Sequence, residues 1–519
     1  MRFTLRTTAF TLAVTGAIAA GAYGIASFIV SENVPDAAEE FFAAWSDGDL
    51  DKASKLTTDP HAALLALKAY KNHVPTTGVN FTAHDVEGWH VPFTVTAHIS
   101  TRDAKGSWSY ESQLDVRDDP QGGERVVWKP SLIHPELAGH DGYTLKAVTT
   151  APETSVLSRE GTALNKQDQP GLSQVIDQLR ERYTSQAGTE TLDVRMTPQF
   201  GDGESTTIAH VIKGKPGTIR TTIDPALQQA AEAAVVENSG ASVVAVQPST
   251  GEILAVATSA KGEVNPALEG VEAPGSVFEI VTSAALLEQG AVSATSAVAC
   301  PDRATVAGTS FTNQNLKNAG TGGTFTDVFA ASCDTAFAEL AGELAPGALA
   351  KEAKNVFGLG LNWQTGVTTS DGAVPELTGA DGAAAAVGRG EVRLNVLNLA
   401  SITATVKSGA FKEPLLVTAD VAGTERLQAE RPLSDRTAQQ LRAMMNHNAS
   451  HGTGAEVMTG SDGSFGSMAG LADQGAGQAA HGWFTAFNGD VAVASVAPAA
   501  GQGVTSAGII TRAVLDADR

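Results

Sequence analysis

Ser276 and Glu279 stand three residues apart where an apolar run begins, in the segment Pro274-Gly275-Ser276-Val277-Phe278-Glu279. On a helix the two side chains would be neighbours on one face. A serine hydroxyl becomes a nucleophile when a nearby base takes its proton, and a desolvated glutamate can accept one. The same pattern is the capping box, in which Ser accepts from a backbone amide and Glu reaches back. Capping accounts better for Glu279, because only the cap requires a Glu.

Other residues offer weaker chemistry. His447 and His451 are four apart, as a metal pair could be, but no adjacent carboxylate completes a ligand set, so surface histidines are expected. Lys407-Ser408-Gly409 ends a helical run over 396–406 and is interpreted as a basic last turn followed by a C-terminal glycine. No Cys-x-x-Cys occurs, which excludes a thiolate metal site. No cofactor is therefore expected.

Charge and cysteine content narrow the function further. The chain has 35 Lys and Arg against 57 Asp and Glu, a net charge of −22, which argues against nucleic acid as a partner. The two cysteines, Cys300 and Cys333, could form one disulfide in an oxidising compartment or remain two buried thiols. Sequence separation does not decide between these alternatives.

The N-terminus predicts export. Arg2 and Arg6 precede an uncharged segment, residues 7–31, that is long enough to cross a hydrocarbon core of about 30 Å as a helix. The arginines would keep residues 1–6 in the cytoplasm and place the rest of the chain outside, at the cell membrane. A cleaved signal peptide is the alternative, because small residues at 17–21 offer a cleavage site.

Periodicity predicts the elements that would position these residues. Two short helices over 36–57 and strands at 91–100, 107–116 and 125–128 indicate a small α+β domain. A helix at 172–183 stands in a less periodic stretch. Strands at 241–247, 252–258, 464–471, 482–488 and 490–497 enclose a helical insert, and helices begin near 225 and 505. The first and last strands are expected to share one sheet.

Several segments, in order, carry a resemblance to class B penicillin-binding proteins of the methicillin-resistance type. The matching segments are Thr221–Gln228, Val243–Ala255, Asn265-Pro266, Pro274-Gly275-Ser276, Ala331–Phe337 and His481–Thr485, with Trp128–Pro135 at the junction after the first domain. The resemblance implies a nuclear-transport-factor-like N-terminal domain at 34–137, a linking or dimerisation-like module at 140–217 and a transpeptidase-like domain at 220–519. The implied fold class is multidomain α+β, with an antiparallel serine transpeptidase/β-lactamase-like sheet and one preceding transmembrane helix.

The resemblance also indicates what this chain has lost. Family members acylate a serine with a D-alanyl-D-alanine stem peptide or a β-lactam, using Ser-x-x-Lys, Ser-x-Asn and Lys-Thr-Gly motifs. Here Ser276 is kept, but Glu279 replaces the first lysine. Ser332 is followed by Asp334 in place of Asn. The substrate-binding Lys-Thr-Gly positions hold Leu471, Ala472 and Asp473.

These replacements change the formal charge of the site by −5 relative to the family pattern. At about 4 Å and an effective dielectric near 20, each unit charge pair is worth roughly 4 kcal/mol. The sequence therefore predicts a site that repels carboxylates and does not acylate. A non-catalytic scaffold, sensor or regulator that binds stem peptides, β-lactams or wall-synthesis proteins is the first hypothesis. An active D,D-transpeptidase or carboxypeptidase acylated at Ser276, and a decaying paralogue without a selected role, are the alternatives.

Overall fold

The computed structural model describes residues 34–151, 153–186, 188–200, 203–262, 264–313, 323–423, 425–460, 464–473, 480–498 and 503–518. The predicted membrane segment, residues 7–31, lies outside these ranges. Within them, no helix has both the length and the apolar character needed to cross a bilayer.

The helices are α1 Asp36–Ser46, α2 Leu50–Lys55, α3 Pro60–His73, α4 Ser173–Arg182, α5 Pro225–Val236, α6 Pro266–Glu269, α7 Glu279–Glu288, α8 Phe325–Ala330, α9 Asp334–Leu340, α10 Ala348–Asn355, α11 Gly379–Ala386, α12 Val396–Ser408, α13 Ala419–Ala422, α14 Asp435–His451, α15 Ala455–Met458 and α16 Gly503–Asp516.

The strands are β1 Thr76–Ala83, β2 His90–Ser100, β3 Lys105–Asp118, β4 Glu124–Val126, β5 Tyr143–Thr150, β6 Ser155–Leu157, β7 Ala163–Leu164, β8 Thr191–Pro198, β9 Thr206–Ile212, β10 Thr218–Arg220, β11 Ser242–Val246, β12 Ile253–Thr258, β13 Ala297–Val298, β14 Arg303–Val306, β15 Thr309–Thr312, β16 Gly323–Thr324, β17 Phe465–Ala472, β18 His481–Asn488 and β19 Val491–Pro498.

The chain folds as two compact units, and it passes between them more than once. The first unit takes the described residues of 1–152 and 188–215, and the second takes those of 153–187 and 216–519. The segment predicted as a linking module, 140–217, thus contributes β5, β8 and β9 to the first unit and α4 to the second.

The first unit has a four-stranded sheet in the order β1-β2-β3-β4 and a three-stranded sheet in the order β5-β8-β9. Strand β2 alternates strictly between buried and half-buried residues, as expected for a sheet with one face against a core. Aromatic side chains fill that core: Phe42 stacks on Phe81 with ring centroids 5.0 Å apart, and Trp45 packs on Phe81 at 4.9 Å. The aromatics of α1 thus have a structural role here.

The second unit is built on one antiparallel sheet in the order β12-β11-β19-β18-β17. This order confirms that the first and last strands of the domain share a sheet, because β11 pairs with β19. Every residue of β11 is buried, since α5 and α16 cover one face and α12 and α6 the other. Small Ala and Val side chains allow both helical layers to approach closely. Strand β17 lies at the edge of the sheet, next to the turn that carries Ser276.

Candidate active site

Ser276 lies in a short 3-10 turn, Gly275–Phe278, that leads directly into α7. Gly275 adopts a φ of +64°, and a Cβ there would come within 2.3 Å of the Leu471 carbonyl oxygen. Only glycine therefore lets the turn sit this close to β17. Helix α7 is buried along almost its whole length, which fixes the position of the serine.

The Ser276 hydroxyl donates a hydrogen bond to Asp334 Oδ1 at 2.8 Å, and the residue is only 4% exposed. Neither the 3-10 turn nor α7 has a side-chain cap. The capping-box interpretation of Ser276 and Glu279 is therefore wrong. The sequence pattern could not show this, because the Asp334 carboxylate that accepts the hydrogen bond from the Ser276 hydroxyl lies 58 residues further along the chain.

Glu279 is completely buried and lies next to Asp334. Burial raises its pKa well above 4.5, and the charge of Asp334 and a hydrogen bond to it act in the same direction, whereas Arg389 opposes them. Neither Glu279 oxygen meets an N–H or O–H donor among the described residues, so the bond to Asp334 requires a proton on Glu279. Burial, the neighbouring carboxylate and this lack of a donor all favour the neutral acid form, so Glu279 is poorly suited to act as a base.

Arg389, which no sequence motif identified, brings a cation into the site. Its Nη2 forms an ion pair with Asp334 Oδ2, and its side chain remains 26% exposed. It lies in the loop between α11 and α12, where Gly388 and Gly390 both have a φ of +66°. The sequence signal is an arginine between two glycines, but this pattern does not identify Asp334 as the partner of Arg389.

The second motif reaches the site through a strained turn. Ser332 has a φ of +50°, and its hydroxyl donates to the Ala469 carbonyl at 3.2 Å, so the described contacts tie it to β17 and not to Ser276. Cys333 forms a disulfide with Cys300, which settles the alternative that the sequence left open. Asp334 begins α9 and is completely buried.

The strand side of the site offers no cation at the three predicted substrate-binding positions. Leu471 is half-buried, Ala472 packs into the core and Asp473 is exposed just beyond the end of β17. Nearby, His481 Nδ1 pairs with Glu272 Oε2 at 2.6 Å.

The charge balance differs from the sequence-based expectation. With Glu279 in its favoured neutral form and Asp334 paired with Arg389, these three residues together carry no net charge. The excess negative charge at the nucleophile is therefore smaller than the formal count of −5 predicted.

The structure also describes the two remaining candidates, the Lys407-Ser408-Gly409 segment and the His447–His451 pair. Lys407 lies in the last turn of α12, and Gly409 caps that helix with a φ of +89°, which confirms the helix-end interpretation. The rings of His447 and His451 stack at 4.8 Å, and His447 Nε2 lies 3.4 Å from Asp327. Among the described residues, no group of three potential ligands could hold a metal ion.

Two family profiles match the chain. The penicillin binding protein transpeptidase domain matches residues 241–516, and the NTF2-like N-terminal transpeptidase domain matches residues 34–141.

Curated relatives agree with these matches. Peptidoglycan D,D-transpeptidase PbpA of Mycolicibacterium smegmatis is 28% identical over 277 residues, 44% of this chain and 55% of that protein. PbpA of Mycobacterium tuberculosis is 29% identical over the same length. The chain thus spans about half the length of the curated relatives that it matches.

Solved structures show the same fold. Penicillin-binding protein A of M. tuberculosis, as a ceftriaxone acyl-enzyme complex, aligns with a TM-score of 0.51 and 25% identity over 58% of this chain and 80% of that one. Pseudomonas aeruginosa PBP2 in complex with WCK 5153 aligns with a TM-score of 0.55 and 20% identity over 72% and 96% of the two chains, a likeness of fold alone. The chain belongs to the penicillin-binding protein transpeptidase family and carries an NTF2-like N-terminal domain.

Proposed function

We propose that this protein acts in peptidoglycan biology as a non-catalytic member of its family, a scaffold, sensor or regulator that binds stem peptides or wall-synthesis proteins. One observation carries the proposal: Ser276, Asp334 and Arg389 form a closed network beside a neutral Glu279. In that network the Asp334 carboxylate is paired with the Arg389 guanidinium.

The network supplies neither of the two things that serine acylation needs. A base must take the hydroxyl proton, but Glu279 is protonated, and a carboxylate neutralised by a guanidinium is a weak base. The cation that would favour the ionised hydroxyl is also missing, because Glu279 stands at the position of the family's lysine. Both deficits follow from the replacement of lysine by Glu279 and of asparagine by Asp334.

The proposed location is the outer side of the cell membrane. The uncharged segment 7–31, with arginines before it, supports a single-pass anchor with the bulk of the chain exported. A wall-directed role fits this location, because peptidoglycan lies outside the membrane.

Labelling with a fluorescent penicillin tests the proposal. The purified full chain in detergent should give no fluorescent band and no acyl shift in its intact mass at millimolar β-lactam. A variant with all five family residues restored, Glu279→Lys, Asp334→Asn, Leu471→Lys, Ala472→Thr and Asp473→Gly, is the matched control and should regain labelling. A stable adduct on Ser276 of the unmodified protein would overturn the proposal.

A second candidate is an active D,D-transpeptidase or carboxypeptidase. The 2.8 Å hydrogen bond from Ser276 to Asp334 favours it, because a nucleophile and its base need this contact. It requires turnover of a D-Ala-D-Ala peptide that Ser276→Ala abolishes. Unchanged turnover in that variant, or no turnover at all, would reject it.

A further inference from the structure

We propose that Arg389 is the residue that binds the carboxylate of a ligand at this site, in place of the lost strand lysine. The inference rests on the proposed function, because it concerns non-covalent recognition at the same site. The ligand class is a peptide with a free C-terminal carboxylate.

The first support is the way the fold positions Arg389. Gly388 accepts a hydrogen bond from the Gly275 amide through its carbonyl at 3.0 Å, so the loop is fixed to the residue before Ser276. A Cβ on Gly388 would lie 2.1 Å from the Gly275 carbonyl oxygen. The loop that carries Arg389 therefore packs directly against the 3-10 turn that carries Ser276, with no space for a side chain between the two backbones.

The second support is where the charges lie around that turn. Gly275 touches β17 on one side through Leu471 and the Arg389 loop on the other through Gly388. The strand side presents Leu471, which has no charge. The loop side presents a guanidinium that is partly exposed. A carboxylate approaching Ser276 therefore meets its cation on the loop side.

The third support is the donor capacity of Arg389. A guanidinium has five N–H donors in a planar fork that matches carboxylate geometry. Its Nη2 donates to a single oxygen of Asp334. A ligand carboxylate would share the guanidinium with Asp334, or displace it, and Glu279 would still be there to donate its proton to Asp334. Removal of the Asp334 charge should thus strengthen ligand binding.

Calorimetric titration of the full chain with diacetyl-L-lysyl-D-alanyl-D-alanine, and with its C-terminal amide, tests the inference. The acid should bind at least about tenfold more tightly than the amide, the range expected for a charge-assisted hydrogen bond. Arg389→Gln should weaken binding of the acid by a similar factor and leave binding of the amide unchanged. Asp334→Asn should tighten binding of the acid, an effect of opposite sign that a merely structural role of Arg389 would not produce.

Two controls keep the test decisive. Arg393→Gln removes a nearby cation whose Nη1 donates to the Gly390 and Val392 carbonyls, and it should leave the acid-to-amide ratio unchanged. The double variant Arg389→Gln/Asp334→Asn avoids a buried unpaired charge and should lose the preference for the acid if it folds as the parent does.

Equal affinity for acid and amide, an unchanged acid affinity in Arg389→Gln, or no binding of the acid would overturn the role of Arg389. An acyl adduct found by mass in the same samples would instead refute the non-catalytic function. In that case the titration of Ser276→Ala still measures the contribution of Arg389.

Discussion

Glu279 and Asp334 are two buried carboxyl groups that share one compensating cation. Their different environments separate their roles, because Asp334 has Arg389 and Glu279 has only Asp334. The raised pKa of Glu279 therefore favours its protonated form, and the protonated form cannot act as a base. In its protonated form, Glu279 resembles a neutral glutamine more than a charged carboxylate.

The substitution Glu279→Gln should change how the free energy of unfolding depends on pH. The raised pKa of Glu279 means that its contribution to stability is fully present below about 4.5 and is lost as pH rises through the higher folded-state pKa. Near pH 5 the variant should differ by less than about 1 kcal/mol, because the amide can replace the acid as a donor to Asp334. At pH 8 it should be the more stable protein.

Chemical unfolding between pH 5 and 9 measures this difference. Parallel pH profiles for the two proteins would show that Glu279 is ionised in the folded state. Glu343→Gln, on an exposed residue, controls for the loss of a surface carboxylate.

The sequence predicted only some of the residues of the candidate site. Ser276, Glu279 and Asp334 were identified by position in known motifs, and the structure brings all three together. Arg389 was missed because it acts through a loop whose contact with Gly275 spans more than a hundred residues. Motif spacing carries no information about such a contact.

At the scale of elements, the loop between α11 and α12 depends on Gly388. Its φ of +66° and its approach to Gly275 both exclude a side chain. We expect Gly388→Ala to lower the free energy of unfolding by more than the about 1–2 kcal/mol that a left-handed conformation alone costs. Gly290→Ala is the matched control, since Gly290 has a φ of +72° and a Cβ added there would have nothing within 4 Å.

Thermal and urea unfolding of both glycine variants would measure these costs. Equal losses in the two proteins would mean that the loop can move away from Gly275. A larger loss in Gly388→Ala would confirm the close packing.

A second buried acid ties α10 to the segment before α14. Glu352 pairs with Arg431 Nη2, its side chain is 5% exposed, and burial raises its pKa to about 7. Stability from this group is therefore present below about 4.5 and lost as pH rises through about 7, a span worth up to about 3 kcal/mol. Glu352→Gln should flatten the stability profile between pH 5 and 8.

Unfolding of Glu352→Gln across that pH range, compared with the parent protein, checks the direction. If the parent protein gained stability relative to Glu352→Gln between pH 5 and 8, the raised pKa assigned to Glu352 would be contradicted.

Most elements of the sheet domain could be predicted because their patterns are local. The predicted strands at 241–247 and 482–488 and the helix near 225 match β11, β18 and α5 within a few residues. In the first unit, α3 and β1 were not predicted. Strand β1 includes three Thr and a Gly, so its alternation is weak and tertiary pairing with β2 decides its structure.

At the scale of the whole molecule, the first unit is discontinuous in sequence. Strand β5 pairs with β8 along its full length, and Leu145, Leu192, Val194 and Met196 join the same core. A fragment of residues 34–152 would leave β5 without its partner. We expect a fragment that also carries residues 188–215 through a short linker to unfold at a higher temperature and more cooperatively.

Circular dichroism melting of the two fragments tests this expectation. Identical melting temperatures would show that β8 and β9 add no stability to the first unit. Exposure of Leu145 and of the core surface that β8 would cover should also appear as dye binding by the shorter fragment.

The crossing chain path has a consequence for inheritance. The recognisable N-terminal module ends at residue 141, yet the sheet that completes its compact unit is encoded beyond that border, with β8 and β9 after residue 190. A recombination event that cut the gene at the module's apparent border would separate the four-stranded sheet from the three-stranded sheet that completes the same compact unit. The two stretches of sequence are thus expected to be inherited together as one cassette.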